Sequence, residues 1–385
     1  MRPVRPAQPM EYLTMMRLPI VMTVTTALFS LILTGTNPSV CVAAESPRIA
    51  ITDPAEVDID FTFQGEYLGT VRISAGRTGR VGLQIVARGN GRFEAAWYLG
   101  GLPGAGWNRQ DRSTLDGALD NGMLTLMGDG RMILVDGTTA RVQDTGGTDQ
   151  GILTRVVRES PTIGASAPPG AVVLFDGSPP EFMDNASVTD DGLLEVGTTT
   201  SMPVEDFRMH LEFRVPYMPN SRGQGRGNSG VYIQRRYEVQ ILDSFGMESL
   251  FDGCGSLYRQ QAADVNMSLP PLAWQTFDIW FRAAQFDSDG NKIANARITV
   301  LHNGIPIHSN REVVAKTGAG LPEGPEPLPI LLQNHRDPVH FRNVWIVLGE
   351  PAVVQPYVTR TRCTVRIRHR CQIVQRLVNR LRRCR

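Results

Sequence analysis

Glu238 and Gln240 are the residues from which chemistry is most readily built. They lie in the run Gly227-Asn228-Ser229-Gly230-Val231-Tyr232-Ile233-Gln234-Arg235-Arg236-Tyr237-Glu238-Val239-Gln240-Ile241-Leu242-Asp243-Ser244. In an extended chain, alternation sets Glu238 and Gln240 on one face and Tyr237, Val239 and Ile241 on the other. A carboxylate beside an amide can recognise the hydroxyls of a sugar or hold a proton-transfer group in place. The competing reading is a solvated outer face, where Glu and Gln are ordinary. His335 follows in Leu331-Leu332-Gln333-Asn334-His335-Arg336-Asp337, where an apolar strand meets a loop, and Gln333 shares its side. That histidine can act as a base near neutral pH, or it is a satisfied structural group. Arg342, in Val339-His340-Phe341-Arg342-Asn343-Val344-Trp345, is either an anion or sugar contact or half of a structural ion pair.

Several other chemistries drop out. Gly223-x-Gly225-x-Gly227 looks like a phosphate loop but leads into a strand pattern, whereas a nucleotide fingerprint needs a following helix. His-Glu-x-x-His, Cys-x-x-Cys and Gly-x-Ser-x-Gly do not occur, which removes the common zinc-protease, zinc-ribbon and esterase readings. The formal charge of +1 hides an asymmetry. Residues 360–385 hold ten Arg and no acid, and residues 1–44 hold three Arg and one Glu. That leaves 26 basic against 37 acidic residues over 45–359, a net charge of −11. Such a body is a poor partner for nucleic acid.

The elements that must position these groups are strands. With 385 residues, two domains are the natural expectation, and 38 Gly with 26 Pro point to many turns. At the N-terminus, Arg17 precedes an apolar run from Leu18 to Leu33, and Val42-Ala43-Ala44 offers a cleavage point. This reads as an export signal (residues 1–44), with an uncleaved membrane anchor as the alternative, and it places the protein in the periplasm or outside the cell. Only Cys254 falls within the body, so disulfides do not organise the fold. Residues 45–158 read as a small β domain of unknown role. Ile59, Phe61 and Phe63 alternate like a half-buried strand, and Val81–Arg88 and Arg92–Leu99 flank a Gly89-Asn90-Gly91 hairpin signal. Residues 159–170, rich in Pro, Ser and Ala, read as a linker.

From 171 to 349 the pattern is again strands. Phe207, Met209, Leu211, Phe213 and Val215 alternate with polar residues, and Val231–Leu242, Thr276–Arg282, Arg297–His302, Ile305–His308, Ile330–Asn334 and Val339–Leu348 follow. Asn303-Gly304 marks a tight hairpin, and Ala262–Met267 is a marginal helix. The tail, 350–385, has apolar residues at helical spacing among its arginines. It reads either as a basic amphipathic helix for a membrane surface or acidic partner, or as a disordered extension.

Together these segments resemble the 3-keto-disaccharide hydrolases, a family also described as 3-keto-glucoside 1,2-lyases and 3-keto-2-hydroxy-glucal hydratases. The resemblance runs from about Val172 to Leu348. It is carried by Val173-Leu174-Phe175-Asp176-Gly177, Asn228-Ser229-Gly230-Val231-Tyr232 and Glu238-Val239-Gln240-Ile241-Leu242-Asp243. Cys254-Gly255 with Tyr258, Trp274-Gln275-Thr276-Phe277-Asp278, Leu301-His302-Asn303-Gly304 and Phe341-Arg342-Asn343-Val344-Trp345 continue it in order. The chain departs from the family at Asp176, where Asn is usual, and at His340, where Arg is common. It also lacks a Leu-x-x-Trp after Gly177. The resemblance implies a concanavalin A-like jelly roll that binds a small carbohydrate on a concave face, which agrees with the all-β reading. It also implies cleavage of 3-keto-glycosides. A ketone at C3 acidifies the C2 proton, so a base can remove it and the C1 substituent can leave by β-elimination, after which hydration gives net hydrolysis. On that chemistry, Glu238 and His335 are the expected base and acid, with Asp243 orienting one of them. Asn228, Gln240, Tyr258, Gln333 and Arg342 are the expected substrate contacts. No cofactor is demanded; a divalent ion could polarise the ketone, but no ligand set calls for one. The alternative is a non-catalytic glycan-binding module on the same sandwich.

Overall fold

The computed structural model describes residues 49–349 and the backbone of Val365–Arg366. The expected export segment, and all of the tail's expected helix but those two residues, lie outside the described residues; Val365–Arg366 is a short strand beside Val157 and Arg158. Among the described residues no helix is long and apolar enough to cross a membrane.

Eight strands come first: β1 (Gly65–Ser74), β2 (Arg77–Ala87), β3 (Arg92–Leu99), β4 (Arg112–Asp120), β5 (Met123–Gly128), β6 (Arg131–Val135), β7 (Thr139–Asp144) and β8 (Asp149–Arg158). Each pairs antiparallel with the next. β1 also pairs with β8, from Glu66↔Val156 to Val71↔Gly151, so the sheet closes into a barrel and its edge strands meet. Alternation in β2 decides what lies inside. Val81, Leu83, Ile85 and Ala87 are wholly buried and share a core with Phe93, Ala95 and Trp97 of β3. The hairpin expected at Gly89-Asn90-Gly91 is present, all three residues having positive φ.

One expected strand is not a strand. Ile59–Thr62 is a short 3-10 helix capped by Asp58, which accepts from the Phe61 N–H at 3.2 Å. Asp60 Oδ2 accepts from the Gly91 N–H at 2.9 Å. The two aspartates give the backbone local and cross-chain partners that a sheet ladder would otherwise provide, and apolar alternation alone does not register that competition.

The remaining strands are β9 (Val172–Phe175), β10 (Met183–Asp184), β11 (Thr199–Thr200), β12 (Phe207–Arg214), β13 (Ser229–Ile233), β14 (Tyr237–Ile241), β15 (Gln275–Arg282), β16 (Gln285–Phe286), β17 (Lys292–Ala294), β18 (Ala296–His302), β19 (Ile305–Val313), β20 (Leu331–Leu332) and β21 (His340–Leu348). They form a six-stranded sheet, β19-β18-β15-β12-β21-β9, and a five-stranded sheet, β10-β11-β20-β13-β14, with β16 and β17 a separate hairpin. Phe207, Met209, Leu211 and Phe213 of β12 share one core with Val231 and Ile233 of β13 and with Tyr237, Val239 and Ile241 of β14. Two antiparallel sheets facing across such a core make a β-sandwich of jelly-roll type, as the sequence led us to expect. The marginal helix at Ala262–Met267 is absent; the segment runs irregularly, with Val265 and Met267 buried in this core.

Residues 159–170 are more than a tether. They lie on the outer face of the six-stranded sheet, held by its polar side chains. Ser160 Oγ is 2.6 Å from Thr276 Oγ1, and Thr162 Oγ1 donates to Asp278 Oδ2 at 2.9 Å. The Gly164 N–H donates to Glu212 Oε1 at 2.6 Å, and Trp345 Nε1 donates to Ala165 O at 3.0 Å. Beneath this strap His210 sits between Asp278 (2.8 Å) and Glu212 (3.9 Å) and stacks on Trp345.

The two cores meet at Tyr217. It follows β12 yet is buried in the barrel's core, edge-on to Phe61 with ring centroids 5.0 Å apart. Its hydroxyl donates to Asp58 Oδ1 at 2.9 Å, and its backbone pairs with Ile51 in both directions.

Candidate active site

The run from Val231 to Leu242, which alternation alone reads as one strand, is a hairpin. β13 and β14 pair from Ser229↔Ile241 to Ile233↔Tyr237, and the chain turns through Gln234, Arg235 and Arg236. Gln234 and Arg235 both have φ of +50°, a region that ordinarily favours Gly or Asn. Distant contacts hold them there: Gln234 Nε2 donates to Val204 O at 2.8 Å, and Arg236 reaches Pro322 O and Glu326 O, both at 2.9 Å.

The hairpin sets Tyr232 directly opposite Glu238, and Gly230 opposite Gln240. Tyr237, Val239 and Ile241 point into the core, so Glu238 and Gln240 take the sheet's other face. Glu238 is nonetheless only 2% exposed. Tyr232 Oη donates to Glu238 Oε2 at 2.7 Å. The Gln240 amide nitrogen, in the orientation that gives it acceptors, donates to Glu238 Oε1 at 2.9 Å and to Ser229 O at 2.8 Å. The other Glu238 contacts are backbone ones: its N–H donates to Thr317 Oγ1 at 2.6 Å, and its carbonyl accepts from the Tyr258 N–H at 3.2 Å. Gly230 leaves the space that the carboxylate fills, since a Cβ there would fall 2.5 Å from Glu238 Oε1. Gly318, at φ +38°, packs over the same group; its Cβ would meet the Tyr258 ring at 2.8 Å.

Burial pushes the Glu238 carboxyl up to about 7, against the lowering effect of the Tyr232 hydrogen bond. The Tyr232 hydroxyl is raised, by burial first and then by the neighbouring Glu238, so it stays a donor. A carboxylic acid that exchanges its proton near neutrality beside a fixed hydroxyl donor can act as base and then as acid.

The structure brings together some of the expected site residues and separates others. Glu238, Gln240, Asn228, Gln333 and Tyr258 gather on or beside this face. Gln333 joins through β20, its N–H donating to Gly230 O at 2.8 Å. Asn228 Nδ2 donates to Gln224 O at 2.8 Å, while Asn228 Oδ1 and Gln333 Oε1 are buried acceptors without a donor among the described residues. Three expectations need correction. Asp243 does not orient Glu238 or His335. It is buried in an ion pair with Arg226 Nε at 2.6 Å, the partner that a carboxylate at the end of β14 finds where the sandwich meets Ala87 O of the barrel. Arg342 lies on the outer face of the six-stranded sheet, across the core from Glu238; its Nε bonds Glu212 Oε2 at 2.7 Å and its guanidinium covers Trp274. Alternation told which side of its own strand it takes, and the sheet order sets that side on the far surface. His335 is exposed on the loop after β20 and makes no hydrogen bond or ion pair among the described residues. Glu238's proton chemistry therefore has Tyr232 as its neighbour.

Tyr232, Thr317 and Gly318 were missed by sequence reasoning. The signal for Tyr232 was present: in a hairpin centred on Arg235 it falls opposite Glu238. Thr317 and Gly318 come from a distant loop that no local pattern ties to β14. Among the described residues no group of three or more His, Cys, Asp or Glu is placed to hold a metal ion.

Residues 170–347 match the family described as the 3-keto-alpha-glucoside-1,2-lyase-like domain. Among solved structures, a candidate glycosyl hydrolase of Parabacteroides distasonis ATCC 8503 is similar at 33% identity over 47% of this chain and 84% of its own, with a TM-score of 0.43. A second from the same organism is similar at 18% identity over 47% of this chain and 94% of its own, with a TM-score of 0.35. No curated protein matches the chain.

Proposed function

The chain belongs, through residues 170–347, to the 3-keto-alpha-glucoside-1,2-lyase-like family, and from that premise we propose that it cleaves 3-keto-glycosides at the Glu238 site. The family assignment supports a carbohydrate-active enzyme; the reaction is our reading of the site. The single observation that carries it is a buried carboxyl poised at about 7 and hydrogen-bonded to Tyr232.

As carboxylate, Glu238 takes the proton from C2, which the C3 ketone has made acidic. The electron pair moves into the C2–C3 bond as the ketone becomes an enolate. As that enolate returns to a ketone, the C1–oxygen bond breaks and a C1–C2 double bond forms. The proton held by Glu238 reaches the departing alkoxide, giving an alcohol and a 3-keto-2-hydroxy-glucal. Water then adds across the new double bond, hydroxyl to C1 and proton to C2, and Glu238 ends in its starting state. Tyr232 keeps one oxygen of the carboxylate oriented, and the Gln240 amide holds the other.

The test is incubation with 3-ketotrehalose and with a chromogenic 3-keto-glucoside. Aglycone release by the wild type, lowered at least about a hundredfold in Glu238→Gln, is the expected result. Glycan affinity with no release at all would leave a binding module in place of an enzyme. Export belongs to the same proposal, and mass spectrometry of the secreted form is expected to find a chain beginning just after Ala44.

A further inference from the structure

A cleft of about 320 Å³ opens where the barrel meets the sandwich, and Glu238 is not in its walls. Trp107, Arg109, Gln110 and Arg112 come from the barrel side, and Glu248 and Asp264 from the sandwich side. Trp107 and Arg112 are held in place. Trp107 Nε1 donates to Asp111 O at 3.0 Å, and its ring stands edge-on to Tyr98 at 5.0 Å. Arg112 ties the two sides together, bonding Glu248 Oε1 at 3.0 Å and Gly246 O at 2.9 Å. Arg109 and Gln110 are exposed, and their side chains have no hydrogen-bond partner among the described residues.

The chemistry of the walls selects the ligand. Both carboxylates already carry a guanidinium, Arg112 on Glu248 Oε1 at 3.0 Å and Arg311 on Asp264 Oδ1 at 2.8 Å. A cation therefore finds its counter-charge taken, and an anion finds only the exposed, solvent-screened Arg109. An apolar ligand would strip water from these heads and replace none of their hydrogen bonds. A neutral polyol offers donors to Glu248 and Asp264, acceptors to Arg109 and Gln110, and an apolar ring face to the indole. The volume is at the low end of the range for small-molecule sites, roughly 300–1,000 Å³, which suits a single ring.

The cleft is joined to the Glu238 site by one loop. Glu248 and Ser249 line the cleft, while Asp252 O accepts from Gln224 Nε2 at 2.8 Å, the residue that also holds Asn228. Phe251 O accepts from the Arg259 N–H at 2.8 Å, next to Tyr258. Ser249 and Asp252 are three residues apart, at most about 11 Å along the chain. We propose that this cleft is a second carbohydrate site, with Trp107 as its platform, binding a neutral hexopyranose unit of the same glycan whose oxidised end enters the Glu238 site. Its placement on one glycan rests on the function proposed above; the sugar site itself does not.

The test is binding by the full chain, followed by calorimetry, of glucose, maltotetraose, cellotetraose and laminaritetraose, none of them oxidised. At least one tetraose is expected to bind more tightly than glucose. Trp107→Ala is expected to weaken that binding about tenfold, Trp107→Phe to restore most of it, and Arg109→Ala to weaken it several-fold. Thermal melts of the variants report whether each is folded. No binding by any tetraose, or equal binding by folded Trp107→Ala, overturns the proposal. Because unoxidised glycans are the probe, the result does not depend on turnover. A chain that binds them through Trp107 but releases no aglycone overturns the proposed reaction and leaves this site standing.

Discussion

Glu238 is a carboxyl whose proton affinity is set by two opposed neighbours. Burial raises it to about 7, and the Tyr232 hydroxyl, which favours the charged form, pulls the other way. Tyr232→Phe is therefore expected to move the rising limb of the pH–rate profile, centred near 7 in the wild type, to higher pH and to lower kcat. The same group has a stability signature. Its folded value lies above the ordinary 4.5, so the folded state holds the proton more tightly. That contribution is complete below about 4.5 and is lost as pH rises through 7, a difference on the order of 3 kcal/mol. Glu238→Gln cannot ionise, and urea unfolding is expected to show its stability relative to wild type increasing between pH 4.5 and pH 8. The shared face of Glu238 and Gln240 was legible from period two alone. Tyr232 was not, because a turn built on Gln234 and Arg235 carries no local mark; its conformation is imposed by Val204, Pro322 and Glu326.

At the scale of elements, the strap over residues 159–170 shows what composition conceals. Its Pro, Ser and Ala content reads as a flexible tether, and only the long-range partners Glu212, Asp278 and Trp345 show that it is clamped. The clamp is electrostatic. Burial works against a charged His210, but the hydrogen bond to Asp278 and the nearby Glu212 carboxylate outweigh it and raise its value. Burial also works against a charged Glu212, yet His210, Asn343, the Gly164 N–H and Arg342 bring it down to about 2. The histidine's contribution is full below its ordinary 6.5 and fades as pH rises past its folded value; the glutamate's is full above about 4.5 and fades as pH falls towards 2. Limited proteolysis within the strap is thus expected to be slowest between about pH 4.5 and 6.5, and several-fold faster at each pH in Glu212→Gln. The turn over Glu238 offers a second test. Gly318→Ala places a methyl 2.8 Å from the Tyr258 ring at φ +38°, and is expected to lower stability by about 1–2 kcal/mol in denaturant unfolding.

On the scale of the whole molecule, strands dominate both parts, and their alternation made the all-β class and the sandwich readable. The barrel was only half visible. β2 and β3 carry dense apolar alternation, but in β4 Leu115 is the only buried position, and the closing pair β1–β8 joins residues far apart in sequence. Equally hidden was Tyr217, whose sequence neighbours belong to the sandwich while its ring completes the barrel. Shared in this way, the two cores are expected to unfold in one calorimetric transition. Tyr217→Ala should remove roughly 3–5 kcal/mol and split that transition in two.

That single ring also imposes an order on synthesis. The barrel's last strand ends at Arg158, yet the side chain that completes its core is made roughly sixty residues later. At about 5–20 residues per second, a nascent barrel waits several seconds for that ring. During that interval the apolar residues around Phe61 face whatever surrounds the nascent chain, so a chaperone acting on this protein would find its target there, when the sandwich has β9 to β12 and still lacks β13 to β21.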